Sequence, residues 1–306
     1  MKNLLDILNK ENIEFDQIYQ LLEIKDQKDI DILFEKSAAV KQLFLGRMKS
    51  KILSIQFSNY CENNCLYCEL REESISAKRF RMSPDEVLEK IKSIFNSGIT
   101  NIILQSGADS YYDTDMIAYL LYKIKQEYDV EITLDLLQRG FDEYRAWKFS
   151  GADNYLLKFN TSNSKNFSIF TKEDKLEERI NHLRYLKRIG YKICTGNIIG
   201  LPHQSITDLA NDLILLKNLK PEMILNTPFT PQELTKYASI PKGDFNLLLK
   251  TIAISRLLLK KSNIIVASSS NFFSIDEKKR LFEIGADTLL WEPLLNGKLK
   301  ETPISS

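Results

Sequence analysis

The fold is decided by the stretch Ser58-Asn59-Tyr60-Cys61-Glu62-Asn63-Asn64-Cys65-Leu66-Tyr67-Cys68-Glu69-Leu70, which follows the apolar run Ile52-Leu53-Ser54-Ile55-Gln56-Phe57. Three of the four cysteines in 306 residues fall here, spaced C-x3-C-x2-C. At this cysteine content that spacing would arise by chance about 0.0007 times per chain. Thiolates are soft ligands, suited to zinc, copper(I) and iron–sulfur clusters. A structural zinc site needs four ligands. The fourth thiol, Cys194, is far along the chain, and the two histidines, His182 and His203, do not stand at finger-like spacing. A cubane cluster ordinarily takes four cysteines, so three would leave one iron open, as catalytic metal sites do. Zinc completed by a histidine after folding, or a disulfide pair, remain alternatives at this level.

Outward from this stretch, apolar runs alternate with helical patterns. Strands are expected at 52–57, 101–105, 130–136, 154–158, 192–198, 222–226, 263–267 and 288–291. Helices are expected near 84–97, 113–127, 141–150, 175–189, 205–219, 243–260 and 275–284. Pro84, Asp113, Ser205 and Ser274 suit helix starts, and Gly98, Gly151, Gly190 and Gly285 helix ends. Eight strands separated by helices call for a parallel sheet. The fold class is therefore α/β, a (β/α)8 TIM-type barrel. Residues 1–48 form an N-terminal helical extension, or cap, with apolar faces such as Leu4, Leu5, Ile7 and Leu8. Residues 49–306 form one barrel domain. Active sites in such barrels lie at the carboxyl ends of the strands. The cysteine loop, Gln105-Ser106-Gly107, Lys158-Phe159-Asn160, Gly196–Pro202 and Asn226–Phe229 all fall on that rim.

Charge is balanced, with 42 basic against 41 acidic residues and a net charge of +1. That gives no electrostatic footprint for a nucleic-acid partner. No segment reaches 18 apolar residues, so no membrane span is expected. Charges run through the first helix, unlike a signal peptide. Clustered, reduced cysteines favour a cytoplasmic setting.

The triplet, with Tyr67 before its last cysteine, resembles the signature of the radical S-adenosylmethionine (SAM) superfamily. Phe80–Glu86, Leu104–Gly107, Tyr144–Trp147, Gly151–Asp153 and Gly196–Pro202 look like one branch of it. That branch holds the [FeFe]-hydrogenase maturase HydE and the methylornithine synthase PylB, with biotin synthase more distant. The likeness runs from about Ser50 to Glu292 and implies that the barrel includes the biotin/thiamin-synthesis-associated C-terminal part. It implies a [4Fe–4S] cluster on Cys61, Cys65 and Cys68, whose open iron is chelated by SAM. An electron then cleaves SAM to methionine and a 5′-deoxyadenosyl radical, which acts on a small-molecule substrate. A low-potential donor such as flavodoxin or ferredoxin is implied, as is an anaerobic setting.

The resemblance also distributes SAM-binding roles. Gln105, Ser106 and Gly107 match the segment that holds the SAM amino group through backbone carbonyls. Gly196, Ile198 and Gly200 match the G-x-I-x-G strand that packs on adenine. Arg179 matches an arginine that pairs with the SAM carboxylate, and Tyr67 fills the aromatic place. Gln138-Arg139 sits where relatives carry Glu-Arg. The chain departs at Lys158-Phe159-Asn160, where relatives carry Arg-His-Glu; Asn160 keeps hydrogen-bonding capacity but no charge, and Lys158 lacks the planar fork. A cluster-binding descendant that no longer uses SAM, or a zinc-stabilised binding barrel, are the rival readings. Glu69 stands where relatives have Gly. Cys194 reads as a small buried hydrophobe, His182 as a surface residue and His203 as a rim residue within reach of substrate. Trp291-Glu292 is expected at the barrel mouth.

Overall fold

The computed structural model of the chain describes residues 2–45, 51–75, 77–96, 98–172, 174–233, 235–268 and 272–291. Three helices come first, α1 (Lys2–Leu8), α2 (Phe15–Glu23) and α3 (Gln27–Phe44). The barrel follows as β1 (Lys51–Gln56), α4 (Pro84–Ile94), β2 (Ile99–Gln105), α5 (Thr114–Glu127), β3 (Glu131–Asp135), α6 (Phe141–Phe149) and β4 (Asn154–Leu156). Its second half is α7 (Ser164–Thr171), α8 (Leu176–Arg188), β5 (Lys192–Thr195), β6 (Ile198–Ile199), α9 (Ile206–Leu219), β7 (Met223–Pro228), α10 (Phe245–Leu258), β8 (Asn263–Ser268), α11 (Ile275–Ile284) and β9 (Thr288–Trp291).

The strands pair in parallel in the order β1-β2-β3-β4-β5-β7-β8-β9. Helical crossovers between parallel neighbours wrap such a sheet into a barrel. No ladder joins β9 to β1 among the described residues, so the barrel is nearly closed. The expected fifth strand divides. β5 stops at Thr195, and β6 pairs with β7. Gly196 sits at the break, where a Cβ would lie 1.9 Å from the Leu225 carbonyl oxygen. Helix α7 is an element that the sequence pattern does not announce.

Side chains alternate across each strand. One set, including Leu104, Ile132, Leu134, Tyr155, Ile193, Ile224 and Ile264, joins the main core under the helices. The other fills the lumen in layers. Asn101, Thr133 and Asn154 bond to one another at the amino end, with Thr133 donating to Asn101 at 3.0 Å. Above them Leu156, Cys194, Leu225 and Ile265 form a separate apolar layer. At the carboxyl end Gln56, Gln105 and Asp135 stand in register on adjacent strands.

Helix starts follow side-chain caps. Ser83, Asp113, Ser205 and Ser274 each accept from a backbone N–H of the first turn, and such a cap contributes about 1 kcal/mol. Gly98, Gly151 and Gly190 take positive φ at helix ends. Gly285 does not, its φ of 166° being extended backbone. The N-terminal helices pack on the outer layer, α2 against α9 and α10, and α3 against α10 and α11. No helix among the described residues is long and apolar enough to cross a membrane.

Candidate active site

The cysteine loop leaves β1 and is pinned at its base. Phe57 N–H bonds Gln105 O at 3.0 Å, extending the ladder. Asn59 receives the Phe80 N–H at 2.7 Å and donates to Lys78 O at 2.8 Å, closing the loop on itself. Beneath it Asp109, 1% exposed, accepts the Ser58 hydroxyl at 2.6 Å and a fork from Arg81 at 2.8 and 3.0 Å. Burial pushes the Asp109 carboxyl up, but the Arg81 and Ser58 bonds outweigh it and hold the group below its ordinary value. The Arg81 guanidinium lies 3.8 Å from the Tyr60 ring centre and 4.8 Å from that of Tyr111.

Cys61, Cys65 and Cys68 are partly exposed and form no disulfide. Ala108 N–H points at Cys61 Sγ and Leu70 N–H at Cys68 Sγ, each at 3.4 Å. Such donors stabilise thiolates, as hydrogen bonds to cluster sulfurs do. No three or more His, Cys, Asp or Glu side chains among the described residues are placed to hold one metal ion. A tetrahedral zinc would draw its thiolates to about 2.3 Å from a common point, whereas a cube spreads its ligands over separate corners. Three thiols on one loop, two of them met by backbone N–H groups, suit the corners of a cluster. Cys194 is buried in the lumen, where burial raises its thiol far above the ordinary value.

The β2 rim is zipped to the first cysteine. Glu62 N–H bonds Ala108 O at 2.8 Å, and a Cβ on Gly107 would meet Tyr60 O at 2.2 Å. The glycine is thus demanded by the cysteine loop's own backbone. The same holds for Gly196 against Leu225, and for Gly200, whose φ is +85° and whose Cβ would lie 2.6 Å from Gly243 Cα. Ser106 donates to Gly107 O at 2.8 Å. Gln105 belongs to the lumen set at the top of β2, since its neighbour Leu104 packs outward.

Tyr67, Asn160, Arg179 and Ile198 come together. Asn160 Nδ2 donates to the Tyr67 hydroxyl at 2.9 Å. Tyr67 and Leu66 pack on a cluster that contains Ile198, Leu201 and Phe170. Burial first, and the neighbouring Cys65 and Cys68 next, push the Tyr67 phenol well above its ordinary value. Arg179 is not a surface ion pair: its side chain is 3% exposed. It bonds Gln138 Oε1 at 3.1 Å, Lys158 O at 2.8 Å and Asp174. These use three of a guanidinium's five donors. Lys158 instead reaches across the lumen, donating to Thr227 Oγ1 at 3.0 Å, and Phe159 is fully buried.

His182 is a correction. It is half-buried, stacked on Phe141 at 4.5 Å and 3.1 Å from the Tyr144 hydroxyl, because α8 turns that face onto α6. It lines a depression of about 590 Å³ beside Glu62, Gln138, Arg139 and Asp174. His203 is exposed on the rim with φ +65°. Arg139 bonds Glu143 and Tyr112 O, and Glu69 is half-buried. Glu292 and the Trp291 side chain lie outside the described residues.

Three acids escape a reading by motif. Asp109 anchors the loop, Asp135 enters the lumen, and Asp212 lies buried behind the rim. Burial pushes Asp135 up to about 7 against the pull of Lys158. It does the same to Asp212, up to about 7, against bonds from Ser162 and Asn197. Asp109 and Asp212 belong to hydrogen-bond networks built from distant segments, and Asp135 feels the charge of Lys158 from another strand end, none of which local spacing encodes.

The profile of the Radical SAM superfamily matches residues 55–216. The chain is 34% identical to the [FeFe] hydrogenase maturase subunit HydE of Thermotoga maritima, over 95% of this chain and 84% of that protein. It is 25% identical to 3-methylornithine synthase of Methanosarcina acetivorans, over 89% of this chain and 77% of that one. Its fold superposes on the crystal structure of methylornithine synthase (PylB) with a TM-score of 0.85 and 21% identity, covering 94% of this chain and 84% of that chain.

Proposed function

Because the chain belongs to the radical SAM superfamily, we propose that Cys61, Cys65 and Cys68 hold a [4Fe–4S] cluster at which SAM takes the remaining iron. When bound, cluster and SAM supply a reductive cleavage that yields methionine and a 5′-deoxyadenosyl radical for attack on a small-molecule substrate. The observation that carries this reading is the set around the loop: thiols met by the Ala108 and Leu70 N–H groups, with buried Arg179 beside Tyr67. The two uncommitted donors of Arg179 suit the SAM carboxylate. Asn160 keeps a buried, unpartnered Oδ1 for a hydroxyl or amine. Ile198, beside Tyr67, supplies an apolar wall for adenine.

The lumen below suits a small polar substrate. Gln56, Gln105, Asp135, Lys158 and Thr227 form a polar collar above the apolar layer of Leu156, Cys194, Leu225 and Ile265. Lys158-Phe159-Asn160 in place of the relatives' Arg-His-Glu favours a substrate different from those of HydE and of methylornithine synthase. Residues 1–48 act as a cap on a single barrel domain, 49–306. A low-potential flavodoxin or ferredoxin serves as electron donor in an anaerobic cytoplasm, a setting that clustered cysteines without a disulfide favour.

Anaerobic reconstitution with iron and sulfide, then dithionite and SAM, tests the reading. Methionine and 5′-deoxyadenosine are expected in equal amounts by mass spectrometry. An intact cluster with neither product would favour a non-catalytic descendant. Zinc without iron or acid-labile sulfide would overturn the cluster itself.

A further inference from the structure

The ends of β4 and β5 are one hydrogen-bonded unit, and its hub lies on a helix outside the rim. Asp212 of α9 is 0% exposed. It accepts the Ser162 N–H and hydroxyl, each at 2.6 Å, the Asn197 amide at 3.0 Å and the Gln204 amide at 3.4 Å. Four donors match the capacity of a carboxylate, which is what burial of one demands.

Those donors lead to the rim. Gln204 accepts the Gly200 N–H at 2.7 Å and donates to Ile198 O at 2.9 Å, so it grips both ends of the 198–200 turn. Asn197 accepts from Asn226 at 3.0 Å, and its carbonyl takes the Thr227 N–H at 3.1 Å. Asn160 is bound on both sides, its N–H to Gly196 O at 3.0 Å and its carbonyl to Ile198 N–H at 2.8 Å. That double hold keeps Asn160 at φ +61°, a conformation asparagine tolerates better than most residues. The residue is 6% exposed, its Nδ2 is spent on Tyr67, and its Oδ1 is buried with no partner among the described residues. A buried acceptor held in place without a donor points to a donor that arrives with a ligand.

We infer that Asp212 is a positioning residue for SAM: it locks the 160–162 and 196–200 segments so that Asn160 Oδ1 faces the nucleoside half. Asp212 never touches the ligand, and the inference rests on the reading that this rim binds SAM. Asp212→Asn keeps size and one acceptor but turns an amide donor on donors already there.

The test uses the cluster-loaded full chain. SAM affinity is read from the change in the reduced cluster's electron paramagnetic resonance spectrum as SAM is added, alongside iron content and melting temperature. Asp212→Asn is expected to raise the Kd for SAM at least tenfold, with iron content and the SAM-free spectrum unchanged. Ser162→Ala, which removes one donor and leaves the carboxylate, is expected to raise it two- to fivefold and serves if Asp212→Asn does not fold. A purely structural role would lower the melting temperature and leave Kd alone. Kd within twofold of wild type in the folded variants overturns the inference while the binding reading stands. A wild-type spectrum indifferent to SAM overturns both.

Discussion

The side-chain amide of Asn160 donates to the phenol oxygen of Tyr67 at 2.9 Å, tying the end of β4 to the turn that carries Cys65 and Cys68. The bond links the loop that would hold metal to the rim that would hold the nucleoside. Tyr67→Phe removes the acceptor and leaves the Asn160 Nδ2 buried and unpaired. The expected cost is about 1–2 kcal/mol of stability, measured by denaturant unfolding, with weaker SAM binding and unchanged iron content.

The four cysteines divide into two kinds. Changing Cys61, Cys65 or Cys68 to Ala is expected to abolish the intact cluster, with iron and sulfide falling well below the about four of each that a cubane carries. Cys194→Ala is expected to retain full iron content, since that thiol sits in the apolar lumen layer. Chemical analysis of anaerobically reconstituted protein checks both. Iron stripping by a chelator is expected to remove SAM cleavage with it.

Arg179 separates charge from geometry. Arg179→Met leaves Asp174 without its partner and is expected to cost about 3 kcal/mol or more and to abolish SAM binding. Arg179→Lys retains a cation without the planar fork. It is expected to recover most of the stability but little of the affinity, as seen by unfolding and by equilibrium dialysis of SAM.

Asp135 makes a prediction in pH. Its ordinary value is 3.8 and burial raises it to about 7 in the folded chain, so between those values the folded state keeps a proton that the unfolded state has released. Its contribution to stability is therefore greatest below about pH 4 and declines as pH rises towards 7. Asp135→Asn lacks this dependence. Urea unfolding of both proteins at pH 5 and pH 8 should show the balance moving toward the variant at the higher pH. Equal differences at the two values would contradict a desolvated lumen position for Asp135.

Gly196→Ala tests the broken strand. The new Cβ would lie 1.9 Å from Leu225 O, so backbone must move. A cost of about 3 kcal/mol is expected, together with loss of the β6 pairing as amide exchange near Ile198 and Thr227.

Much of the barrel is legible in local pattern. The run 101–105 appears within β2 (Ile99–Gln105), and Ser83, Asp113, Ser205 and Ser274 cap the helices they precede, because capping and alternation act over a few residues. The division of β5 is not local: it is imposed by a carbonyl of β7. Helix α7 hides in a polar run, 163–166, whose cap comes from Asn163. Within the site, the cysteines and Arg179 stand at readable positions. Asp212 does not: in an amphipathic helix it reads as solvent-facing, and its burial depends on Ser162, Asn197 and Gln204. The three rim glycines are readable as demands for space, but it is protein backbone that occupies the space.

Leu66 N–H bonds Phe170 O at 2.9 Å, between residues more than a hundred positions apart. The middle of the ligand loop thus leans on a helix synthesised much later. A nascent or truncated chain ending before residue 164 has the three thiols but not the buttress, so secure seating of iron belongs to the finished barrel and not to the motif.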